Sequence, residues 1–554
     1  MKEFQRVLVT CAWPYIYTIP HLGNLIGSIL SADVIARYHR LKGREVIFVS
    51  GSDEHGTPIE VEAIKQGIHP KKLTDQNHAI IKKLFEDWWI SFDNYTRTES
   101  EYHKKFVQEF YYKLYQNGFL YKKQIVQPYC ENCKRYLPDR FIIGTCPYCG
   151  YEKARGDQCE ECGNLLEPTQ LINPKCAICG NKPLNKDTEH FFIDFPKLRD
   201  KVIEYIQGNP YFDKRIKTIS LNYIKDEFKA RALTRDNNWG ISSPFEGFEN
   251  KTIYVWFEAV LGYISATIEY LKGSDEWKKF WFDNSTLTYY FIGKDNIPFH
   301  SIIFPALLIA SGEGYNLPHI ISATEFLTFE GKKFSKSQGI GIWIDEALKI
   351  LDVDYWRYYL IYIRPEERDT EFTINNFVDV VNSHLNDTLG NFIYRVTSFI
   401  KNNFNYIIPE PSSLQEEEIK EIEIRNNLID KVDKALSEVK LREALNFAIE
   451  IAREGNRYLN ERKPWDAIKN DLMLAKNIIY VAVQFINALS VVLFPFIPKT
   501  SLRIRNQLNL SEKIKWDDAY KEIKGIKINE PEILFRKISK EFILEKLKEV
   551  RKAN

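Results

Sequence analysis

Eight of the nine cysteines stand as four C-x2-C pairs, Cys130/Cys133, Cys146/Cys149, Cys159/Cys162 and Cys176/Cys179. Tetrahedral Zn2+ takes four thiolates, so eight in this spacing imply two zinc ions. Such pairs in a reducing compartment point to metal and not to disulfides. All-sulfur coordination leaves no position for water, which makes both ions structural. Spacing alone permits either neighbouring or nested pairing. The surrounding stretch, 124–187, is rich in Cys, Gly and Pro and weakly periodic, so it reads as a metal-stapled insertion outside any main sheet.

On either side of it the pattern is that of an α/β protein. Residues 6–10 read as a buried strand, an amphipathic helix runs from Asn24 to Gly43 through Leu25, Ile29, Val34, Ile35 and Tyr38, and 45–50 is a second strand. Strand, helix and strand build a parallel sheet. The pattern resumes with apolar strands at 287–292 and 320–327 around a helix at 298–310, the second half of one doubly wound sheet. From Asn376 the stripe Phe377, Val380, Val381, Leu385, Leu389, Phe392 and Ile393 opens an α-bundle with further helices at 441–459 and 473–493. The expected division is a Rossmann-type first half (1–120), the zinc insertion (121–230), the second half (231–325), a lysine-loop linker (326–375) and the helical domain (376–554).

With 76 Lys plus Arg against 75 Asp plus Glu, net charge cannot steer a polyanion, so nucleic-acid contacts must come from local clusters. The N-terminal residues lack a signal-peptide run and no later stretch is expected to stay uncharged long enough to cross a bilayer, giving a cytoplasmic expectation with no membrane partner.

Two segments carry candidate nucleotide chemistry. His21-Leu22-Gly23-Asn24 lies between the first strand and first helix, where free N–H groups and the helix dipole suit an anion such as a triphosphate. Gly23 permits close backbone approach, and His21 and Asn24 can donate to phosphate oxygens; the plainer alternative is that His21 and Asn24 only cap the helix. Far downstream, Gly331-Lys332-Lys333-Phe334-Ser335-Lys336-Ser337-Gln338-Gly339 is a glycine-bounded cationic loop whose lysines can neutralise departing pyrophosphate. Neither a dinucleotide fingerprint nor a P-loop is present at the first helix.

Taken together, H-L-G-N at 21–24 and K-F-S-K-S at 333–337 resemble the paired HIGH and KMSKS signatures of class I aminoacyl-tRNA synthetases, with Asn24 in place of the last His and Phe334 in place of Met. Within that class the chain is similar over nearly its whole length to the methionyl-tRNA synthetases, notably at 51–57 (GSDEHGT), 254–259 (YVWFEA) and 291–295 (FIGKD). The resemblance implies methionine–tRNA ligation: L-methionine and ATP form an adenylate, and the methionyl group passes to tRNA(Met), initiator and elongator. It places His21, Asn24, Lys333 and Lys336 in catalysis, His21, Gly23, Asn24, Asp295 and Lys336 on ATP, and Mg2+ with the nucleotide. It places Ala12, Trp13, Tyr15, Trp256, Ala259, Tyr263 and His300 around the methionine side chain and Asp53 at the amine; Trp13 and Val260 stand where many relatives carry Leu and Pro. It favours nested zinc sites, Cys146, Cys149, Cys159 and Cys162 around one ion and Cys130, Cys133, Cys176 and Cys179 around the other. In the bundle it assigns Asn391, Arg395 and Trp465 to the anticodon, groups of the kind that read and stack unpaired bases.

A further tRNA-binding and dimerisation module is not seen after 546–550, so a monomer is expected, with any such module supplied by a separate polypeptide. A non-catalytic RNA-binding paralogue would lose His21 or the lysine loop, and both are intact. A relative selective for cysteine would need a small thiol pocket, which Tyr15, Trp256 and Tyr263 argue against.

Overall fold

A computed structural model describes residues 4–553 except Leu165 and Ser337; Ser337 of the lysine loop thus lies outside the described residues. The strands that position the site are β1 (Arg6–Cys11), β2 (Glu45–Ser52), β3 (Asn94–Arg97), β4 (Leu120–Cys130), β5 (Leu184–Ile193), β6 (Thr286–Gly293) and β7 (Ile320–Thr324). Five form one parallel sheet in the order β7-β6-β1-β2-β3.

The central strands are apolar on both faces because helices cover both. Along β1 the side chains alternate between two cores, Val7, Val9 and Cys11 packing in one and Leu8 in the other. In β6, Tyr289 and Phe291 face the first core and Tyr290 and Ile292 the second. Strand order reverses direction between β1 and β6, and a doubly wound sheet opens its ligand crevice at the carboxyl ends of such a pair. Both helices beside that crevice carry a π-helical turn, at Leu25–Ile29 and Phe299–Ile303.

The cysteine-rich segment departs from expectation at its edges. It rides on a long antiparallel ribbon, β4 against β5, in register from Leu120↔Ile193 to Tyr129↔Leu184. Lys122, Lys123 and Gln124 are exposed, as are Asn185, Lys186 and Asp187, so neither strand shows the apolar alternation that marks a half-buried sheet. The strand expected over 320–327 ends at Thr324; Leu327–Phe329 pairs separately with Thr370–Phe372.

The helical region begins at Ile374, and contrary to expectation it contains a long uncharged stretch. Residues 477–498 carry no charged side chain, and the helix Leu472–Val492 is long and apolar enough to cross a membrane by length and composition. Its apolar window is 78% buried inside the protein, because it is the central helix of the bundle, packed on Glu416–Ser437 and Leu441–Arg462. Arg357 ties bundle to sheet: fully buried, it donates to Asp33 Oδ2 (2.7 Å), to Trp88 O (3.1 Å) and to Phe496 O (2.8 Å).

Candidate active site

Residues 12–24 leave β1 and cross the crevice, and both groups of candidate residues hang on that segment. On one side, Tyr15 and Asp53 form a β-bridge, with Asp53 N–H donating to Pro14 O at 2.9 Å. Trp256 Nε1 donates to Tyr15 Oη at 2.7 Å, and Ala12 N–H to Phe291 O at 2.9 Å. Ala259 follows Trp256 on the helix Val255–Ala259. His300 Nδ1 faces the carbonyl of Asn296 at 2.9 Å, an acceptor only, so the ring proton sits there. Its Nε2 then accepts from Tyr263 Oη at 2.7 Å. Burial lowers the His300 pKa to about 4, which keeps it neutral. Trp13 lies between two glycines: a Cβ at Gly51 or Gly262 would fall 2.7 or 2.6 Å from its ring. Ala12, Trp13, Tyr15, Asp53, Trp256, Tyr263 and His300 thus gather on one side of the crevice, with Ala259 three positions beyond Trp256 on its helix.

Asp53 lacks a complete set of partners, as do Trp13 at Nε1, Glu54 at Oε1 and Glu258 at Oε2 nearby. It is 3% exposed and its Oδ1 is buried without a hydrogen bond. Burial first, and then Glu258, push its carboxyl well above the usual range, a state that a bound cation would reverse.

On the other side, the helix mouth and the lysine loop touch. His21 is the N-cap of the helix, its Nδ1 accepting from Asn24 N–H at 3.3 Å while Asn24 Oδ1 accepts from His21 N–H at 3.1 Å. The capping alternative is therefore realised, yet it leaves donors free for an anion. Nδ1 acting as acceptor puts the proton on Nε2, and the Asn24 amide keeps its two N–H groups. Burial lowers the His21 pKa to about 4. The Phe334 ring stacks on the His21 imidazole, 4.1 Å between centroids. Lys336 Nζ donates to Thr18 Oγ1 at 2.9 Å, and Lys333 is exposed on the same loop. Gly23 packs tightly under this contact, a Cβ there falling 3.0 Å from His21 and 3.2 Å from Phe334. Asp295 is exposed in the turn Lys294–Asn296 that follows β6.

The cysteines gather as two nested tetrads, Cys130, Cys133, Cys176 and Cys179, and Cys146, Cys149, Cys159 and Cys162. Four thiolates at about 2.3 Å from one tetrahedral ion lie about 3.8 Å apart. Cys130–Cys179, Cys133–Cys176, Cys146–Cys162 and Cys149–Cys159 sulfurs stand 3.5, 3.8, 3.8 and 3.6 Å apart, so each tetrad fits an ion. The peptide N–H groups of Asn164 and Asn181 lower Cys162 and Cys179, while burial and the neighbouring thiols raise Cys133 and Cys176, as expected where four thiols crowd together. Gly150, Gly163 and Gly180 close three of the turns at φ near 75° (77, 74 and 75°), and Lys134 closes the fourth at 51°.

In the bundle, Asn391 is exposed at the start of Asn391–Phe404, and Arg395 follows one turn later. The Arg395 guanidinium lies 5.2 Å over the ring of Trp465, at the start of Pro464–Asn470, and donates to Asn460 Oδ1 at 3.0 Å. Trp465 is 39% exposed, a large aromatic face left to solvent.

Three features escaped the sequence reading. His55 is clamped between Glu258 and Glu99, at 2.6 and 2.8 Å. Thr18 holds Lys336. Arg551, on the last helix, donates to Gly339 O (3.1 Å), Gly341 O (2.6 Å) and Glu346 Oε1 (2.8 Å), bracing the far end of the lysine loop. His55 lies within the stretch 51–57 already singled out and Thr18 three residues before His21; Arg551 carries no local signal.

A parallel sheet whose crevice meets a helix mouth on one side and a lysine loop on the other is the catalytic arrangement of class I aminoacyl-tRNA synthetases. Residues 7–397 match the family described as tRNA synthetases class I (M), and residues 408–549 the anticodon binding domain of methionyl tRNA ligase. The chain is 53% identical to the methionine–tRNA ligase of Caldivirga maquilingensis, covering 99% of this chain and 94% of that one. It is 52% identical to that of Sulfurisphaera tokodaii, over 99% and 98%. The fold is also that of Mycobacterium tuberculosis methionyl-tRNA synthetase in complex with methionyl-adenylate, with a TM-score of 0.81 at 22% identity over 96% of this chain and 99% of that one. The chain belongs to the methionyl-tRNA synthetase family.

Proposed function

We propose that the chain activates L-methionine with ATP and transfers the methionyl group to the 3′-terminal adenosine of tRNA(Met), initiator and elongator. A methionine carboxylate oxygen attacks the α-phosphorus; the bond from that phosphorus to the bridging oxygen breaks and pyrophosphate leaves. The ribose 2′-hydroxyl then attacks the activated carbonyl and AMP departs. Positioning and charge neutralisation supply most of such catalysis.

His21 Nε2–H, the Gly23 backbone and the Asn24 amide hold the α- and β-phosphates, Lys333 and Lys336 take the leaving pyrophosphate, and Asp295 contributes to the ATP site. Mg2+ accompanies the nucleotide and supplies further charge neutralisation. Asp53 receives the ammonium group, while Ala12, Trp13, Tyr15, Trp256, Ala259, Tyr263 and His300 enclose the thioether. Asn391, Arg395 and Trp465 take the anticodon. The tetrads hold two structural Zn2+ ions that brace the insertion where the acceptor end enters. The division into 1–120, 121–230, 231–325, 326–375 and 376–554 follows these roles. The working form is a cytoplasmic monomer, with any additional tRNA-binding module provided in trans.

The observation that carries this reading is the meeting of His21 with Phe334 and of Thr18 with Lys336, the second pair 318 positions apart in the chain, over one crevice. Pyrophosphate exchange measured against a panel of amino acids tests it. Exchange dependent on methionine alone is expected; exchange driven by another amino acid, or by none, overturns it.

A further inference from the structure

The side chain of His55 is 1% exposed and lies two residues beyond Asp53 on the loop that leaves β2. Its Nδ1 is 2.6 Å from Glu258 Oε1 and its Nε2 is 2.8 Å from Glu99 Oε1. Burial raises the Glu258 carboxyl and His55 opposes that; with both carboxyl groups ionised each only accepts, so both ring nitrogens donate and the ring is an imidazolium. Burial alone would strip that proton, but Glu258 and then Glu99 reverse the balance and raise its pKa to about 10. Lys104 Nζ completes the far end, 3.0 Å from Glu99 Oε2.

The three partners belong to three different elements. Glu258 sits between Trp256 and Ala259 on Val255–Ala259, Glu99 follows β3, and His55 shares its loop with Asp53. The helix carrying the thioether wall and the loop carrying the ammonium-binding carboxylate are therefore joined through one ring. Trp239, with its ring centroid 5.4 Å from that of His55, its ring plane nearly perpendicular and its indole N–H on Glu54 O, closes the same loop.

We propose that His55 is a positioning residue for amino-acid recognition: bound on both ring nitrogens, it sets the span between Asp53 and the wall formed by Trp256 and Ala259. This rests on the reading that Asp53 receives the substrate ammonium group. His55 touches no substrate; it acts through the two groups it holds.

Truncating a buried charged hydrogen bond costs enough to weaken the dependent contact roughly tenfold. In the full-length protein loaded with zinc, His55→Gln is expected to raise KM for methionine in pyrophosphate exchange about tenfold. KM for ATP should change less than about twofold. Because glutamine leaves Glu258 facing a partial partner, His55→Gln/Glu258→Gln is expected to recover about threefold of that loss, a non-additivity that a generally loosened fold does not produce. Glu99→Gln keeps the His55–Glu258 contact and should give a smaller rise, about threefold, so a variant remains if His55→Gln does not fold.

Equal rises in both KM values, strict additivity in the double variant, or an unchanged KM for methionine in Glu99→Gln with His55→Gln unfolded would each overturn the inference. Asp53→Asn separates it from the reading beneath it. If Asp53→Asn raises KM for methionine and His55→Gln does not, the positioning role fails and the ammonium site stands. If Asp53→Asn leaves KM unchanged, the ammonium assignment itself fails.

Discussion

The imidazole of His21 lies flat against the ring of Phe334, with 4.1 Å between centroids and 6° between planes. A residue of the helix mouth and a residue of the lysine loop thus share one apolar contact, which holds the imidazole in a single orientation. Gly341 makes room for it: at φ 125°, a Cβ there would fall 2.4 Å from Phe334.

Phe334→Ala removes the stacked face and should slow adenylate formation about tenfold, the order expected when a catalytic group loses orientation. Phe334→Met retains an apolar partner of similar reach and should lose less than about threefold. The burial that depresses His21 is relieved in the alanine variant, so its titration should move up from about 4 toward the ordinary value of 6.5. Ring proton shifts followed against pH read this directly, and a His21 titration unmoved by Phe334→Ala would remove the argument.

Lys336 is held by Thr18 at 2.9 Å, which places its ammonium group beside the crevice before any ligand arrives. Loss of one preorganised charge at a leaving group costs on the order of 10²–10³ in rate. Lys336→Ala should reduce methionine-dependent pyrophosphate exchange by that factor while methionine binding, followed by tryptophan fluorescence, stays within about twofold. A variant exchanging as fast as the parent would show that this lysine does not meet the pyrophosphate.

How much of this was legible beforehand differs by physical cause. β1 was, because Val7, Leu8 and Val9 sit in a strand covered on both faces and leave an unbroken apolar run. The convergence of 21–24 with 333–337 was implied by their resemblance to the paired class I signatures, not by any local pattern. The ribbon β4–β5 was not legible, since Lys122, Lys123 and Lys186 are exposed charged residues lying over aromatic rings, and the run shows no apolar alternation. The nesting of the tetrads depends on chain closure that spacing does not encode. His55 and Glu258 are 203 positions apart, and Arg551 meets Gly341 across 210, so no local pattern announces either pair. The uncharged run at 477–498 was misjudged: a largely buried bundle helix and a membrane span share one composition.

The two tetrads differ in access. Each has two buried thiols, Cys146 and Cys159 in one and Cys130 and Cys176 in the other, but Cys149 and Cys162 are exposed whereas Cys133 and Cys179 are half-buried. The protein should carry two equivalents of zinc, and under chelator the tetrad with exposed thiolates should release its ion first. Cys149→Ser should abolish the fast phase and Cys133→Ser the slow one, as followed by a chromogenic chelator. One equivalent of metal, or a single release phase in the parent protein, would contradict two separate sites.

Arg395 and Trp465 are pre-stacked and remote from the crevice, so their loss should affect tRNA and spare the first step. Base stacking on an aromatic face is worth about 1–3 kcal/mol. Trp465→Ala and Arg395→Ala should each lower kcat/KM for tRNA(Met) about 10- to 100-fold, with pyrophosphate exchange unchanged. If exchange falls in parallel, the substitutions act on folding and not on the anticodon.

Asp33, without exposure, accepts Arg37 Nε at 2.9 Å, Arg357 Nη2 at 2.7 Å and the Ser91 N–H at 2.7 Å. Burial raises its carboxyl, and Arg37 and Arg357 more than reverse this, holding it at about 2. A depressed carboxyl stabilises the fold fully above its unfolded value near 3.8, and that contribution disappears as pH falls from there through about 2. Asp33→Asn leaves two buried guanidinium groups short of their counter-charge and should destabilise by about 3–5 kcal/mol at neutral pH. Arg357 also binds Phe496 O at the edge of the bundle, so the loss reaches the junction between sheet and bundle. A chain of this size need not unfold in one step. Calorimetry should therefore show a lower Tm with the bundle transition separating from that of the sheet, and the difference from the parent should shrink below pH 4. A variant with the parent's Tm, or a difference that grows as pH falls, would mean that this carboxylate does not hold the two parts together.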